Sequence, residues 1–126
     1  LRSSGVPTIV DVGGERVPAL DALLEVADMS VLVVRGCYLA LRRAVREPAT
    51  ARTAGVVLVE EAGRALGARE AADVLGVPVL ATVPVRSSVA RVVDAGVLTS
   101  RLPDHLARPA RDLLAHAGLA RKGRAA

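Results

Sequence analysis

The stretch Val56-Val57-Leu58-Val59 is a continuous apolar run made almost entirely of β-branched side chains. Such a run is typical of a strand that is covered on both faces, as in a parallel sheet. Three similar runs occur along the chain: Thr8-Ile9-Val10-Asp11-Val12, Val31-Leu32-Val33-Val34 and Val79-Leu80-Ala81-Thr82-Val83. They begin at residues 8, 31, 56 and 79, which leaves room for a helix and two loops between successive strands. We therefore predict an α/β fold with a mostly parallel sheet of about four strands, flanked by helices.

The segments between these runs carry helix signals. We predict helices from Pro18 to about Ala27, over 39–47 before Pro48, over 66–75 with Gly76 as the cap, from Ser87 or Ser88 to near Gly96, and from Pro103 or Asp104 to Ala117 with Pro109 as a kink or break. The first 119 residues are expected to form one α/β unit. The basic tail, residues 120–126, is expected to be disordered.

The composition excludes several classes of function. The chain is 52% hydrophobic, but only 1% of its residues are aromatic, so it offers no aromatic platform for stacking single-stranded nucleic acid. One cysteine and two histidines cannot assemble the usual zinc site. No apolar run is long enough to span a membrane, and the lone cysteine favours a reducing cytoplasm. The chain begins at Leu1 without an initiator methionine, which we interpret as the start of a processed or truncated chain.

Charged and glycine residues follow each predicted strand. Because ligands bind beyond the carboxyl ends of parallel strands, these residues mark the predicted working edge of the sheet. They are Asp11-Val12-Gly13-Gly14, Arg35-Gly36-Cys37, Glu60-Glu61-Ala62-Gly63-Arg64 and Pro84-Val85-Arg86-Ser87-Ser88. Carboxylates, arginines and glycines at one edge suit a phosphate or a metal–phosphate ligand, although loops carry charges in any protein.

Asp11 is the sharpest single candidate at this edge. A carboxylate that ends an apolar strand before two glycines can support a magnesium water shell beside a nucleotide phosphate. Alternatively, Asp11 accepts hydrogen bonds from nearby backbone amides. The chain has no G-x-x-x-x-G-K-[ST] loop, and its one lysine is Lys122 in the tail, so it cannot build a complete nucleotide site alone.

Two further motifs have weaker functional interpretations. Cys37 and Arg43 have the C-x5-R spacing of thiol phosphatases, but the intervening residues are typical of an amphipathic helix, which favours a small buried cysteine instead. The net charge is +4, and a basic C-terminal set offers weak contact with DNA or an anionic membrane. That set comprises Arg108, Arg111, Arg121, Lys122 and Arg124.

The order of these features is similar to a known pattern. The pattern begins with Val10-Asp11-Val12-Gly13-Gly14, which is followed by a predicted helix, by Ala27-Asp28 and by the strand Val31-Leu32-Val33-Val34. It continues with Gly55-Val56-Val57-Leu58, Leu75-Gly76-Val77-Pro78-Val79-Leu80, Val83-Pro84 and Val89-Ala90 through Ala95-Gly96. Over roughly residues 6–117 this resembles the C-terminal half of ParA/MinD-type P-loop ATPases, including the pilus-assembly proteins similar to CpaE and TadZ.

The resemblance implies a partial Rossmann-like, P-loop NTPase-like domain of a dimerising ATP switch, which positions DNA, division machinery or secretion machinery in the cytoplasm. It implies that Asp11 supports magnesium indirectly, that Gly13 and Gly14 lie beside the γ-phosphate, and that Pro84 and its neighbours, including Arg86, lie against adenine. ATP and magnesium are its implied cofactors, and its implied partner is the missing N-terminal half or a second copy.

The chain departs from the family pattern at three places. The Walker A loop is absent, Glu60 ends a strand where the family often has asparagine, and Arg86 stands where an aspartate is common. The chain alone is therefore not expected to bind ATP or hydrolyse it. Two alternatives are a stand-alone flavodoxin-like or receiver-like binding module and a small thiol enzyme that uses Cys37.

Overall fold

The computed structural model describes residues 5–14 and 18–119. Within those ranges it contains three parallel strands and five α-helices. In chain order they are α1 (Leu20–Val26), β1 (Val31–Arg35), α2 (Tyr38–Arg46), a 3₁₀ helix (Pro48–Arg52), β2 (Gly55–Glu60), α3 (Ala68–Leu75), β3 (Val79–Pro84), α4 (Ser87–Asp94) and α5 (Asp104–His116). The predicted α/β class, with a parallel sheet flanked by helices, is confirmed.

The strands lie in the order β1-β2-β3, so the most apolar run of the sequence forms the central strand. The register places Val34 beside Leu58 and Leu58 beside Thr82. The β2–β3 ladder has one irregularity, between Val56 and Val57. Residues 55–58 of β2 are all buried, because a central strand has a neighbour on each side and covering elements above and below.

The core lies mainly on one face of the sheet, where α2 and α3 pack. Its buried members are small or branched: Val34, Leu41, Ala44, Val56, Leu58 and Ala71. Val57 and Ala81 are buried on the opposite face, since side chains alternate along a strand, and α5 packs against β3. Alanines at the helix–sheet contacts let short side chains fill the core without aromatic rings.

The predicted strand at residues 8–12 is wrong, and the sheet has three strands among the described residues, not about four. This segment belongs to no strand of the structure, and Ile9 is 88% exposed. A β-branched run indicates that a segment fits a pleated, half-buried surface, but a strand forms only where a neighbour pairs with its backbone. No other strand of the described chain pairs with this segment.

The predicted helix ends are largely confirmed. Gly76 caps α3 in the left-handed conformation with φ 69°, and Gly96 follows α4 with φ 66°. Pro109 lies inside α5, where it is buried. The predicted disordered tail, residues 120–126, lies outside the described residues. No helix among the residues described is long and apolar enough to cross a bilayer.

His105 in the first turn of α5 has a ring Nε2 atom that is buried and has no hydrogen-bond partner among the described residues. Because a buried, unsatisfied polar atom costs about 1–3 kcal/mol, we expect His105→Leu to raise the free energy of unfolding by about 1 kcal/mol. Urea denaturation followed by circular dichroism measures the change. His116→Leu is the control, since the exposed His116 ring already contacts the Asp112 carbonyl at 2.8 Å. A loss of stability in His105→Leu would contradict the expectation.

Candidate functional site at the carboxyl edge of the sheet

The three strands end at the same edge of the sheet, at Arg35, Glu60 and Pro84. Backbone hydrogen bonds continue just beyond the strands. The amide of Gly36 donates to the Val59 carbonyl at 2.9 Å, and the amide of Val85 donates to the Glu60 carbonyl at 2.7 Å. The three strand ends therefore lie at one edge, as predicted, and the chain just beyond β1 and β3 is held there by backbone hydrogen bonds.

Gly36 allows the loop after β2 to close over the end of β1. A Cβ atom at this position would lie 2.9 Å from the carbonyl oxygen of Leu66, which is closer than side chains tolerate. The glycine is buried, and its backbone is already held by Val59. A glycine is needed here because two backbones approach closely.

Glu61 connects two arginines at this edge. Its carboxylate pairs with Arg35 at the end of β1 and with Arg64 three residues later, the second at 2.9 Å. The Glu61 side chain is only 23% exposed, whereas both arginines are more than half exposed. The loop after β2 is thus tied electrostatically to the neighbouring strand end. Neither of these two ion pairs was predicted from the sequence.

We expect the Arg35–Glu61 pair to contribute little to stability. Ion pairs with a solvent-exposed partner typically give coupling energies of about 0.2–1 kcal/mol and weaken in salt. A double-mutant cycle with Arg35→Ala and Glu61→Ala, measured by urea denaturation at low and high salt, should return a value in that range that falls with salt. A larger, salt-independent coupling would show that Arg35 has a structural role beyond this pair.

A cleft of about 370 Å³ opens at the ends of β2 and β3. It is lined by Glu60, Glu61, Ala62, Pro84, Val85 and Arg86. Pro84 and Val85 supply apolar surface, while the Glu60 carboxylate and the Arg86 guanidinium supply an acceptor and a donor. Apolar surface with a few polar groups is the chemistry that holds a planar heterocycle, since a carboxylate accepts from ring amines and a guanidinium stacks on a ring face.

The other candidate residues lie away from this cleft. The side chain of Asp11 accepts a hydrogen bond from the amide of Gly13 at 2.8 Å, and Gly13 has φ +71°. The carbonyl oxygen of Gly14 accepts from Arg43 on α2 at 3.5 Å. Of the five predicted binding residues, only Pro84 and Arg86 therefore line the cleft. Asp11 adopts the local turn that was its alternative interpretation.

No group of three or more histidine, cysteine, aspartate or glutamate side chains in the described part of the chain could hold a metal ion. The indirect role of Asp11 toward magnesium, through water, stays a prediction. It requires partners other than the residues now beside Asp11.

The thiol-phosphatase interpretation of Cys37 has no loop to support it. Cys37 is half-buried at the N-terminus of α2, and residues 38–46 are helical. Arg43 reaches Gly14. A phosphate-binding thiol loop needs amides that converge on the sulfur, and a regular helix directs its amides along its axis instead.

The predicted basic surface is only partly described. Arg108 and Arg111 are exposed on α5, while Arg121, Lys122 and Arg124 lie outside the described residues. A second basic surface was not predicted. It lies on α2 and lines a hollow of about 360 Å³ with Leu39, Arg42, Arg43 and Arg46. This surface could have been predicted from the sequence, because Arg42, Arg43 and Arg46 follow Leu39 by three, four and seven residues, and that spacing places residues on one face of a helix.

Comparison with known proteins finds relatives but no family assignment. No family model matches the chain, and no solved structure matches it. The chain is similar to the uncharacterized protein Rv3660c of Mycobacterium tuberculosis strain H37Rv, and equally to the uncharacterized protein MT3760 of strain CDC 1551. Each is 36% identical over 132 residues, an alignment that covers 99% of this chain and 38% of the relative. The chain thus spans less than half the length of the relatives it matches.

Proposed function

We propose that the chain is the C-terminal part of a ParA/MinD-type, CpaE/TadZ-like ATPase domain that positions cellular machinery in the cytoplasm. The chain supplies the base side of the nucleotide site, and it does not hydrolyse ATP alone. The proposal rests on the order of motifs in the sequence. It is supported by the exposed apolar side chain on the edge strand β1 and by the cleft at the end of β3.

The exposed edge of β1 is the structural observation that supports this proposal most directly. β1 is an edge strand, and among the described residues no strand pairs with its outer edge. Val33 in the middle of β1 is 65% exposed, although it points to a face that is buried at Val57 of the next strand. An edge strand with exposed apolar side chains is normally covered. Further strands from an N-terminal half, or a second copy of the chain, would cover it.

We propose that the described residues would contact only one end of ATP. The base would lie in the cleft beside Pro84 and Arg86, which has apolar and polar lining residues. The triphosphate and magnesium need a glycine-rich loop with a lysine, which this chain lacks. When bound in the complete domain, ATP would supply a γ-phosphate that switches the protein between states. The residues of this chain would orient the base.

We expect no measurable binding of magnesium–ATP to the chain alone and clear binding once the remaining length is present. A suitable full-length protein is a chimera in which this chain replaces the matching 38% of Rv3660c. Binding of a fluorescent ATP analogue should appear in the chimera and should weaken when Arg86 is replaced by alanine. Arg91→Ala on α4 is the control, because Arg91 is also exposed but does not line the cleft.

Two results would contradict this proposal. One is the absence of nucleotide binding in both the folded chimera and full-length Rv3660c. The other is a chain that is monomeric, unfolds cooperatively and binds nucleotide without further residues, which would favour the stand-alone flavodoxin-like or receiver-like module. Sedimentation and thermal denaturation of the chain distinguish these cases.

A further inference from the structure

The outward face of α2 carries an exposed leucine among arginines. Helix α2 packs its Leu41 and Ala44 into the core, so the opposite side faces solvent. That side presents Leu39, which is 74% exposed, and Arg42, Arg43 and Arg46. We call these four residues the α2 outer face. A leucine that points away from the core contributes nothing to the folding of this chain.

The charge of the α2 outer face is not neutralised within the described chain. Helix α2 contains no acidic residue, and neither Arg42 nor Arg46 forms an ion pair or a side-chain hydrogen bond with any residue in 5–14 or 18–119. Within the described part of the chain, Arg43 makes only the long contact with the Gly14 carbonyl, at 3.5 Å. Tyr38, at the margin of the same face, is 65% exposed. The surface therefore combines three positive charges with a leucine and a tyrosine.

We propose that the α2 outer face docks on anionic phospholipid bilayers, with the arginines at the headgroups and Leu39 and Tyr38 at the interface. Arginine guanidinium groups bind lipid phosphates, and leucine and tyrosine side chains partition into the boundary between headgroups and acyl chains. The site is distinct from the C-terminal arginines. It needs no nucleotide, so it stands independently of the proposed function.

The size and composition of the α2 outer face favour a bilayer over the other anionic partners. A stable protein–protein interface buries about 1,200–2,000 Å², far more than one face of a nine-residue helix offers. Duplex DNA presents phosphates and sugars to such a face, against which an exposed leucine makes no favourable contact. A bilayer needs no shape complementarity, and it accepts apolar and basic side chains together.

Vesicle sedimentation with the 126-residue chain tests this docking. We expect binding to vesicles of phosphatidylcholine with phosphatidylserine and none to pure phosphatidylcholine. Arg42→Gln/Arg46→Gln should weaken binding about twenty-five-fold, since each arginine near an anionic surface contributes a factor of about five. Leu39→Ser should weaken binding with no change in charge. All three positions are exposed, so circular dichroism should show the wild-type fold.

Tyr38 supplies a second readout that needs no substitution. It is the chain's one aromatic residue, so the intrinsic tyrosine emission reports on this position alone. Brominated lipids quench fluorophores at the interface, and we expect them to quench Tyr38 in anionic vesicles. Binding without this quenching would overturn the proposal, because the chain would then be attached through another surface.

Matched charge variants complete the test. Arg91→Gln/Arg101→Gln removes the same charge from exposed positions elsewhere, and it should retain most of the binding. Equal losses in both double variants would overturn the proposal in favour of general charge attraction. Loss only in Arg121→Gln/Arg124→Gln would place the contact in the tail. Duplex DNA binding that depends on Arg42 and Arg46, with no vesicle binding, would also overturn it.

Discussion

Gly55→Ala is expected to lower the free energy of unfolding by about 3 kcal/mol or more, a large part of the stability of a small domain. A Cβ atom at Gly55 would lie 2.5 Å from the Pro78 carbonyl oxygen and 2.7 Å from Cγ of Leu80. The Pro78 carbonyl cannot retreat freely, because it accepts the amide of Val56 at 2.8 Å, where β2 meets β3. Urea denaturation followed by far-ultraviolet circular dichroism measures the loss.

Gly14→Ala is the matched control for this substitution. Gly14 is exposed, its φ is not positive, and a Cβ atom there would meet nothing within 4 Å. The same chemical change should therefore leave the stability within about 0.5 kcal/mol of wild type. Equal stability of Gly55→Ala and Gly14→Ala would mean that the start of β2 lies farther from Pro78 than the structure places it.

Apolar runs of the sequence predicted strands correctly where the residues are buried in the folded chain. The runs at 31–34, 56–59 and 79–83 all became strands, because each pairs with a neighbour and packs beneath helices. The run at 8–12 is also rich in β-branched residues, yet Ile9 is almost fully exposed. Composition records a preference for pleated, buried surface, while strand formation also needs hydrogen-bond partners that a local pattern does not contain.

The topology of a parallel sheet made it possible to predict which residues lie at the carboxyl edge. The ion pairs between side chains at that edge could not be predicted. Once the strands are parallel, their carboxyl ends must meet, so Pro84 and Arg86 were expected to lie near Glu60. The contact between Arg35 and Glu61 depends on the path of the loop after β2, which is fixed by the close approach of Gly36 and Leu66. The position of Asp11 depends on a strand that did not form.

Leu58→Ala is the second substitution with a large expected effect, a loss of about 2–5 kcal/mol in the free energy of unfolding. Leu58 is completely buried in β2, beside Val34 of β1 and Thr82 of β3, and it is one of the two largest fully buried side chains. Its removal leaves a cavity that a central strand, held on both edges by hydrogen bonds, cannot easily close. Urea denaturation measures the loss, with the m-value as a check on two-state behaviour.

Leu39→Ala on α2 removes the same atoms from an exposed position and separates burial from composition. Leu39 is 74% exposed on a helix, and alanine has a slightly better helix propensity, so we expect a change within about 0.5 kcal/mol. A large loss at Leu39 would mean that this side chain is covered in the folded chain, which would contradict both the packing of α2 and an outer face available to a bilayer. A small loss at Leu58 would mean instead that the three-stranded sheet does not form the stabilising core. The two substitutions therefore test whether the buried face of β2 at Leu58 stabilises the fold. They also test whether the exposed face of α2 at Leu39 is left free for contact with other molecules.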